Sequence, residues 1–484
     1  MKKIIISFST FVILLLSTTG CNSFLDLTPI SVANVNAFYK TSQDAVLAVN
    51  ASYSSLLDIY RSDLWVLGEV ASDNTEDPDA SIDNFTIDAN NGTVEGFWRR
   101  LYSGISRCNT VLNRVPGINM DETLKQRLLL EARYLRAFYY FQLVQYFGDV
   151  PLVETEVTSL DANLIERSPV SKVYELIIKD LTAAEALPAK YEGQNIGRAT
   201  SGAAKTLLAK VYLVLKNYAQ ASVKSKEVIS SGLYSLLPNY ADVFTVANNN
   251  SAESIMDIQF SVGAQAGTGS FPGNTFFEAF APNGSGSFVT GINGSNPGGR
   301  NVPTNNLISA YEPNDPRLSV SLATSYTRPG PPAQIINVNY ILKTLDPTAT
   351  AGGIGQGSRE GWKALRYADV LLMNAEALNE ISGGNPEAFA SINLVRKRAR
   401  GNSPTTVLPD LVGLNQAELR LAIERERRVE LAFENHRWTD LVRTGRVKTV
   451  MTALKANFQD RNLLLPIPQR EIIVNKLLKQ NTGY

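Results

Sequence analysis

Apolar residues recur along this chain mostly at helical intervals rather than in alternation. In "EARYLRAFYYFQLVQYFGD", Leu130, Tyr134, Ala137, Phe141 and Val144 fall on one face of a helix, and Leu135 and Phe138 on another. A helix apolar nearly all round must be covered by neighbours on several sides. Gly148 closes it, and "VPLV" leaves in extended form.

The same spacing returns downstream in pairs. "KTLLAKVYLVLKNYAQASVKSKEVI" places Leu208, Ala209, Tyr212, Tyr218, Ala221 and Val228 in an order that resembles the tetratricopeptide repeat. Small residues let two antiparallel helices approach, and large ones fill the groove between them. "LLMNAEALNEISGGNPEAFASINLVRKRA" repeats the theme with Ala375, Leu378, Ala388, Ile392 and Val395. "FWRRLYSGISRCNTVLNRV" before "LKQRLLLEARYLRAFYYF", and "VYELIIKDLTAAEAL" before "ATSGAAKTLLAKVYL", also read as helix hairpins. Such units stack into a superhelix with a continuous core. The expected fold is therefore mainly α, a tetratricopeptide-like superhelix built chiefly from 94–232 and 366–445.

Other stretches have no helical period. Residues 71–93 are polar and rich in Asp and Asn, and 261–303 are dominated by Gly, Asn, Ser and Phe, with "YTRPGPPAQIINVNY" soon after. Loops of this length are usually functional rather than connective. Phe271, Phe276, Phe277, Phe280 and Phe288 argue against disorder in the glycine-rich part. We assign 71–93 and 261–362 to a loop-rich, ligand-binding subdomain packed on the superhelix. No Pro- or Ser-rich linker divides 21–484, so the chain reads as one body.

The N-terminus changes the setting. "MKKIIISFSTFVILLLSTTG" has two lysines, an apolar run over 4–16 and small polar residues, the order of a secretory signal. That run is too short to span a bilayer stably. Cys21 follows Gly20 as in a bacterial lipobox, although Thr18 stands where leucine is usual. Cys21 is the expected lipidation site, and several acyl chains there would anchor the mature protein. Composition excludes other classes. Lys and Arg number 46 against 46 Asp and Glu, and removing Lys2 and Lys3 tips the balance acidic, so no nucleic-acid partner is expected. With Cys21 lipidated, Cys108 is the remaining thiol. It lies in register with Trp98, Leu101, Tyr102, Ile105, Asn109 and Leu112 on one helix face, where it reads as a small core hydrophobe.

The most charged stretch, "ERERRVELAFENHRWTDLVRTG" (424–445), contains the single histidine, His436. Asn415 and Glu418 are spaced as a capping box for the preceding helix. On that helix Val429, Ala432, Phe433 and His436 share a face, and Glu424, Arg427, Arg428 and Glu430 are spaced as exposed pairs worth about 0.2–0.5 kcal/mol each. His436 therefore reads as structural, and nothing supplies the partners of a nucleophile–base set. "GRATSGAAKT" and "GGIGQGSREG" lack the spacing of phosphate loops, and one histidine makes no zinc-protease motif. This reading assigns no catalytic residue, no metal ligand and no cofactor. A glycosidase-type pair of acids stays open, because Asp and Glu are plentiful.

Together these segments resemble the SusD/RagB family of Bacteroidetes outer-membrane lipoproteins over essentially the whole chain. The resemblance rests on "CNSFLDLTP", "AFYKTSQDAVLAVNASYSSL", "EARYLRAFYYFQLVQYFGDVPLV", "GRATSGAAKTLLAKVYL", "LRYADVLLMNAEALNE", "INLVRKRA", "ERERRVELAFENHRWTDLVRTG" and "LLPIPQREIIVNKLLKQNTGY", in this order. It implies a superhelix carrying a loop-rich subdomain. It also implies a surface-exposed, lipid-anchored, non-catalytic protein that captures glycans, or in some members peptides. Such a protein delivers its ligand to a SusC-like TonB-dependent transporter in the outer membrane.

Motifs carry over no ligand contact, so candidates come from chemistry. Sugar C–H faces stack on aromatic rings, and hydroxyls need amides, carboxylates or guanidiniums. Asp73, Asn74, Asp79, Asn84 and Phe85 in the first loop qualify, as do Phe288, Arg300, Tyr326 and Tyr340 in the second, and Trp362. Trp98 is read as core. A tethered glycan-degrading enzyme and a helical scaffold for outer-membrane assembly are the alternatives, and the long aromatic loops count against the scaffold. If Cys21 carries the lipid, Cys21→Ser should move the protein from the membrane fraction to soluble fractions. Unchanged retention of the folded variant would overturn the anchor.

Overall fold

The computed structural model describes residues 38–484 except 78–80, 160–163, 263–272 and 352–356. The leader, Cys21, Asp79 and Phe271 lie outside the described residues. Six long helices come first: α1 (Ser42–Ile59), α2 (Gly92–Arg114), α3 (Glu122–Phe147), α4 (Val170–Ala184), α5 (Ser201–Val214) and α6 (Tyr218–Ser230). After an excursion over 231–366 come α7 (Tyr367–Ile381), α8 (Pro386–Arg400), α9 (Gln416–Glu430) and the shorter α10 (Arg437–Arg443). Each helix from α1 to α8 packs on the next, and α6 packs on α7 across the excursion. The helical superhelix expected from the spacing therefore forms, and it runs unbroken past the insertion.

Local chemistry explains the elements. Thr41 and Asp44 form a capping box at α1, and Asn415 and Glu418 form the expected one at α9. α3 is apolar nearly all round because α2 and α4 both cover it, and Tyr134 through Phe141 are all buried. A Cβ on Gly104 would sit 2.5 Å from the Tyr139 ring, so glycine sets how closely α2 meets α3. Trp98 and Cys108 are core residues as expected, Trp98 edge-on to Phe147 at 4.9 Å. Burial pushes the Cys108 thiol up to about 12.

The excursion is closed at its neck. Strand β4 (Ser254–Ile258) pairs antiparallel with β8 (Trp362–Arg366), Ile258 opposite Trp362, and Lys363 bonds Asp257 at 2.9 Å. Three more two-stranded sheets complete the strands. They join β1 (Thr75–Glu76) to β5 (Val302–Pro303), β2 (Val150–Pro151) to β3 (Arg167–Ser168), and β6 (Leu322–Arg328) to β7 (Gln334–Ile341).

The 424–445 segment departs from expectation. α9 ends at Glu430, and Phe433 and Asn435 adopt left-handed conformations (φ 66° and 68°), so the apolar face does not continue to His436 as a helix. Glu426, Arg427 and Glu430 are buried and Arg428 is half-buried rather than exposed, and they pair across elements. Arg427 bonds Asp369 and Asp440, and Arg428 bonds Asp73. Glu430 accepts from Arg317, Arg366 and Arg398. Arg366 also bonds Glu434 at 2.7 Å and Glu253 at 2.9 Å, and Arg317 bonds Glu426 and Asp315. Lys343 donates to Glu434 at 2.8 Å and lies 4.3 Å from the Phe244 ring centre. These partners come from α8, α9, β8 and the excursion, so the network ties the superhelix to the subdomain.

Removing one member leaves buried charge uncompensated. Glu430→Gln should therefore cost about 3–5 kcal/mol in denaturant unfolding. Burial alone would raise the Glu430 carboxyl, but Arg398, Arg366 and Arg317 outweigh it and hold it well below the usual range. Burial pushes Glu69 up to about 7 and Glu360 up to about 8. A lowered carboxyl stabilises the fold above its unfolded pKa and loses that stability in acid. A raised one stabilises while protonated and stops doing so as it ionises. Thermal melts should therefore peak near pH ~5, falling below about pH 4 and again towards pH 8. A rise continuing to pH 8 would contradict this assignment.

Candidate functional site

The two loops singled out by composition are stitched together. β1 pairs with β5, Thr75 opposite Pro303 and Glu76 opposite Val302. Thr75 Oγ1 donates to Asn301 Oδ1 at 2.6 Å, and the Thr304 amide donates to the Asn74 carbonyl at 2.9 Å. Behind this seam Arg437 grips Asp73 with bonds of 2.7 and 2.9 Å, and Arg428 donates to Asn74 Oδ1 at 2.9 Å. Burial opposes the Asp73 charge, but Arg437 and Arg428 outweigh it and keep the carboxyl below its ordinary value. Asn74 in turn donates to Glu69 at 3.0 Å.

On the seam stands Trp65. α1 runs into two π-helical stretches, Tyr60–Leu64 and Val66–Val70, and Trp65 is the residue between them. Wide turns of this kind are frequent at functional sites. The indole is half-buried, edge-on to Phe280 at 5.3 Å, with the Arg300 guanidinium 5.7 Å from its centre. Arg300 Nε donates to the buried Asp77 carboxylate at 2.5 Å, while its side chain stays 39% exposed. The amides of Gly298, Gly299 and Arg300 donate to the carbonyls of Glu278, Ala281 and Ala279, and Gly299 supplies the left-handed backbone (φ 62°) at this close approach. The result is an aromatic edge beside a fixed, partly exposed guanidinium, which suits a ligand with both apolar faces and hydroxyls.

The expected site residues scatter. Arg300 is at the seam. Phe288, 53% exposed on the short helix Ser287–Thr290, and Asn84, on the first loop, face solvent. Asp73 and Asn74 are buried supports beneath the seam rather than surface groups. Phe85 is buried against Trp438 and Phe458, with ring centres 5.9 and 5.1 Å away. Tyr326 and Tyr340 are buried against each other on the β6–β7 hairpin. Trp362 is core, wedged between Tyr60 and Phe276. The loops fold around contacts with one another and with the helices, and those contacts take up most of the aromatics. Trp65 was missed because it follows a helix whose spacing marks its neighbours as core.

His436 is half-buried, its Nδ1 3.3 Å from Lys210 Nζ, and burial with that ammonium pushes it down to about 4. Among the described residues no cluster of His, Cys, Asp and Glu could hold a metal ion, and no helix is long and apolar enough to cross a membrane.

A stacked-hairpin superhelix with a loop-built seam defines a class of helical-repeat binding scaffold. The SusD family model matches residues 336–484, and a second, described as starch-binding and associating with the outer membrane, matches 23–213. SusD-like protein P2 of Formosa agariphila is 31% identical over 98% of this chain and 99% of its own length. A laminarin binding SusD-like protein of known structure is 28% identical, with a TM-score of 0.79 over 92% of this chain and 100% of that one. Surface glycan-binding protein A from Bacteroides fluxus is 25% identical, with a TM-score of 0.76 over 92% of this chain and 100% of that one. The chain belongs to the SusD family.

The burial pattern makes a stability statement. Phe85→Ala and Trp362→Ala should each cost about 3–5 kcal/mol, the range for emptying a buried aromatic site, and lower the melting temperature. Unshifted transitions would mean these rings are not core.

Proposed function

We propose that this protein binds glycan at the Trp65–Arg300 seam and passes it to a SusC-like TonB-dependent transporter. In this reading it does no chemistry on its ligand, and lipid on Cys21 holds it at the surface of the outer membrane. The observation that carries the proposal is the half-buried indole beside a guanidinium held by a buried carboxylate. Family membership and the glycan-binding names of its relatives support it. Phe288 and Asn84 are exposed groups on the same two loops and are proposed as further contacts.

Delivery requires release, so affinity should lie between micromolar and millimolar, about −8 to −4 kcal/mol. A shallow aromatic edge with a few hydrogen bonds suits that range. In calorimetric titrations of the lipid-free protein against a panel of polysaccharides, Trp65→Ala and Arg300→Ala should each weaken binding at least ~10-fold, as anchor residues do. Arg300→Ala takes a guanidinium from the buried Asp77 carboxylate and should also lower the thermal transition, so its binding is read at a temperature where the variant is still folded. Wild-type affinity in both variants would overturn the site.

A further inference from the structure

A second ligand-sized opening shares no lining residue with the seam. Two adjacent cavities of 430 and 300 Å³ share Ile196, Gly197, Arg198, Met256 and Asp257 as lining, between α1, the α4–α5 connection and β4. Their volumes fall in the range of small-molecule sites, about 300–1,000 Å³. Tyr191 and Tyr234 line one and Tyr53 of α1 the other. Ile196 and Leu233 remain 50% and 45% exposed.

Of the charged groups lining the two cavities, Arg198 and Asp257 are paired within the protein, and exposed Lys190 stands at the rim of the larger one. Arg198 donates to Glu131 at 2.8 Å and to Asn50 at 2.7 Å and lies 5.9 Å from the Tyr53 ring centre, while Asp257 is bound by Lys363. The polar groups left facing a ligand are mainly amides. Asn250 and Gln259 exchange two bonds of 2.9 Å. A Cβ on Gly197, whose φ is +89°, would lie 2.6 Å from the Gln259 side chain, so glycine makes room for it. Among the described residues, that exchange leaves Asn250 one side-chain N–H and one carbonyl lone pair unused. Tyrosine faces, exposed aliphatics and amides, with Lys190 as a single cation at the rim, match a sugar chain better than an acidic peptide, which would need several cations.

The geometry points to this groove as a second binding site, for a neutral oligosaccharide, separate from the Trp65 seam. The inference rests on the reading of the protein as a glycan binder and not on the location of its first site. The test titrates laminarihexaose and maltohexaose into the wild type, into Trp65→Ala, and into Trp65→Ala combined with Tyr234→Ala or with Ile196→Ala and Gln259→Ala. Tyr234 contacts Thr200 and Gly202 and its loss can disturb packing, whereas Ile196 and Gln259 are exposed. The Trp65→Ala protein should still bind at least one hexasaccharide, and both groove variants should weaken that residual binding at least ~10-fold, the Ile196→Ala and Gln259→Ala variant with an unchanged thermal transition. The groove is overturned if the wild type binds neither sugar at millimolar concentration, if Trp65→Ala abolishes all binding, or if the folded groove variants leave the residual binding intact. If Trp65→Ala binds like the wild type and the groove variants remove the signal, the groove stands and the seam falls.

Discussion

The buried ion network around Glu430 is the interaction on which the rest of this structure depends. Taking a charged group out of water costs several kcal/mol even after relaxation, so isolated burial would not persist. Here Glu430 meets three guanidiniums, and Arg366 meets Glu253, Glu430 and Glu434. Each charge is opposed and hydrogen-bonded, and the members come from segments far apart in sequence. The excursion and the helices share one apolar core, and the hydrophobic effect that assembles it is itself non-directional. Planar guanidiniums against fixed carboxylates set an orientation.

That orientation reaches the site through the next turn of the same segment. Arg428 and Arg437, on either side of the Glu430–Glu434 cluster, hold Asp73 and Asn74. Those residues lead into β1, which pairs with β5, and β5 begins two residues after Arg300. The most charged stretch of the sequence therefore works as a foundation. Its histidine is packed beside Lys210, and its arginines act through the backbone they position.

What was legible in the sequence follows from periodicity. Helix pairs announce themselves because burial of one face repeats every three to four residues, as in α5–α6 and α7–α8, and caps such as Asn415 mark their starts. Charge pattern misled at Glu430, because spacing along a helix cannot show whether a partner lies on the same helix or on a β-strand 64 residues earlier. The loop aromatics misled for a related reason. Absence of a helical period says that Phe85 and Tyr340 are not on a helix, but it does not say they face water. Arg300 was legible as a polar group in an aromatic loop, whereas its partner Trp65 lay at the end of a helix and gave no loop signal.

On the proposed site, the architecture also separates where stability is generated from where ligand would be met. Asp73 and Asn74 serve both ends, since loss of either unlocks the seam and exposes buried arginine charge, so their effects on binding and folding cannot be pulled apart. Trp65 and Arg300 stand one step further out. The indole is only half-buried, and the guanidinium projects from a backbone run fixed by its own hydrogen bonds to 278–281. A contact made by such groups can be weak without being loose, because the ordering entropy of the surrounding loop has already been met by folding. That is the physical requirement for a surface that must hold a ligand briefly in a defined pose and then let it go.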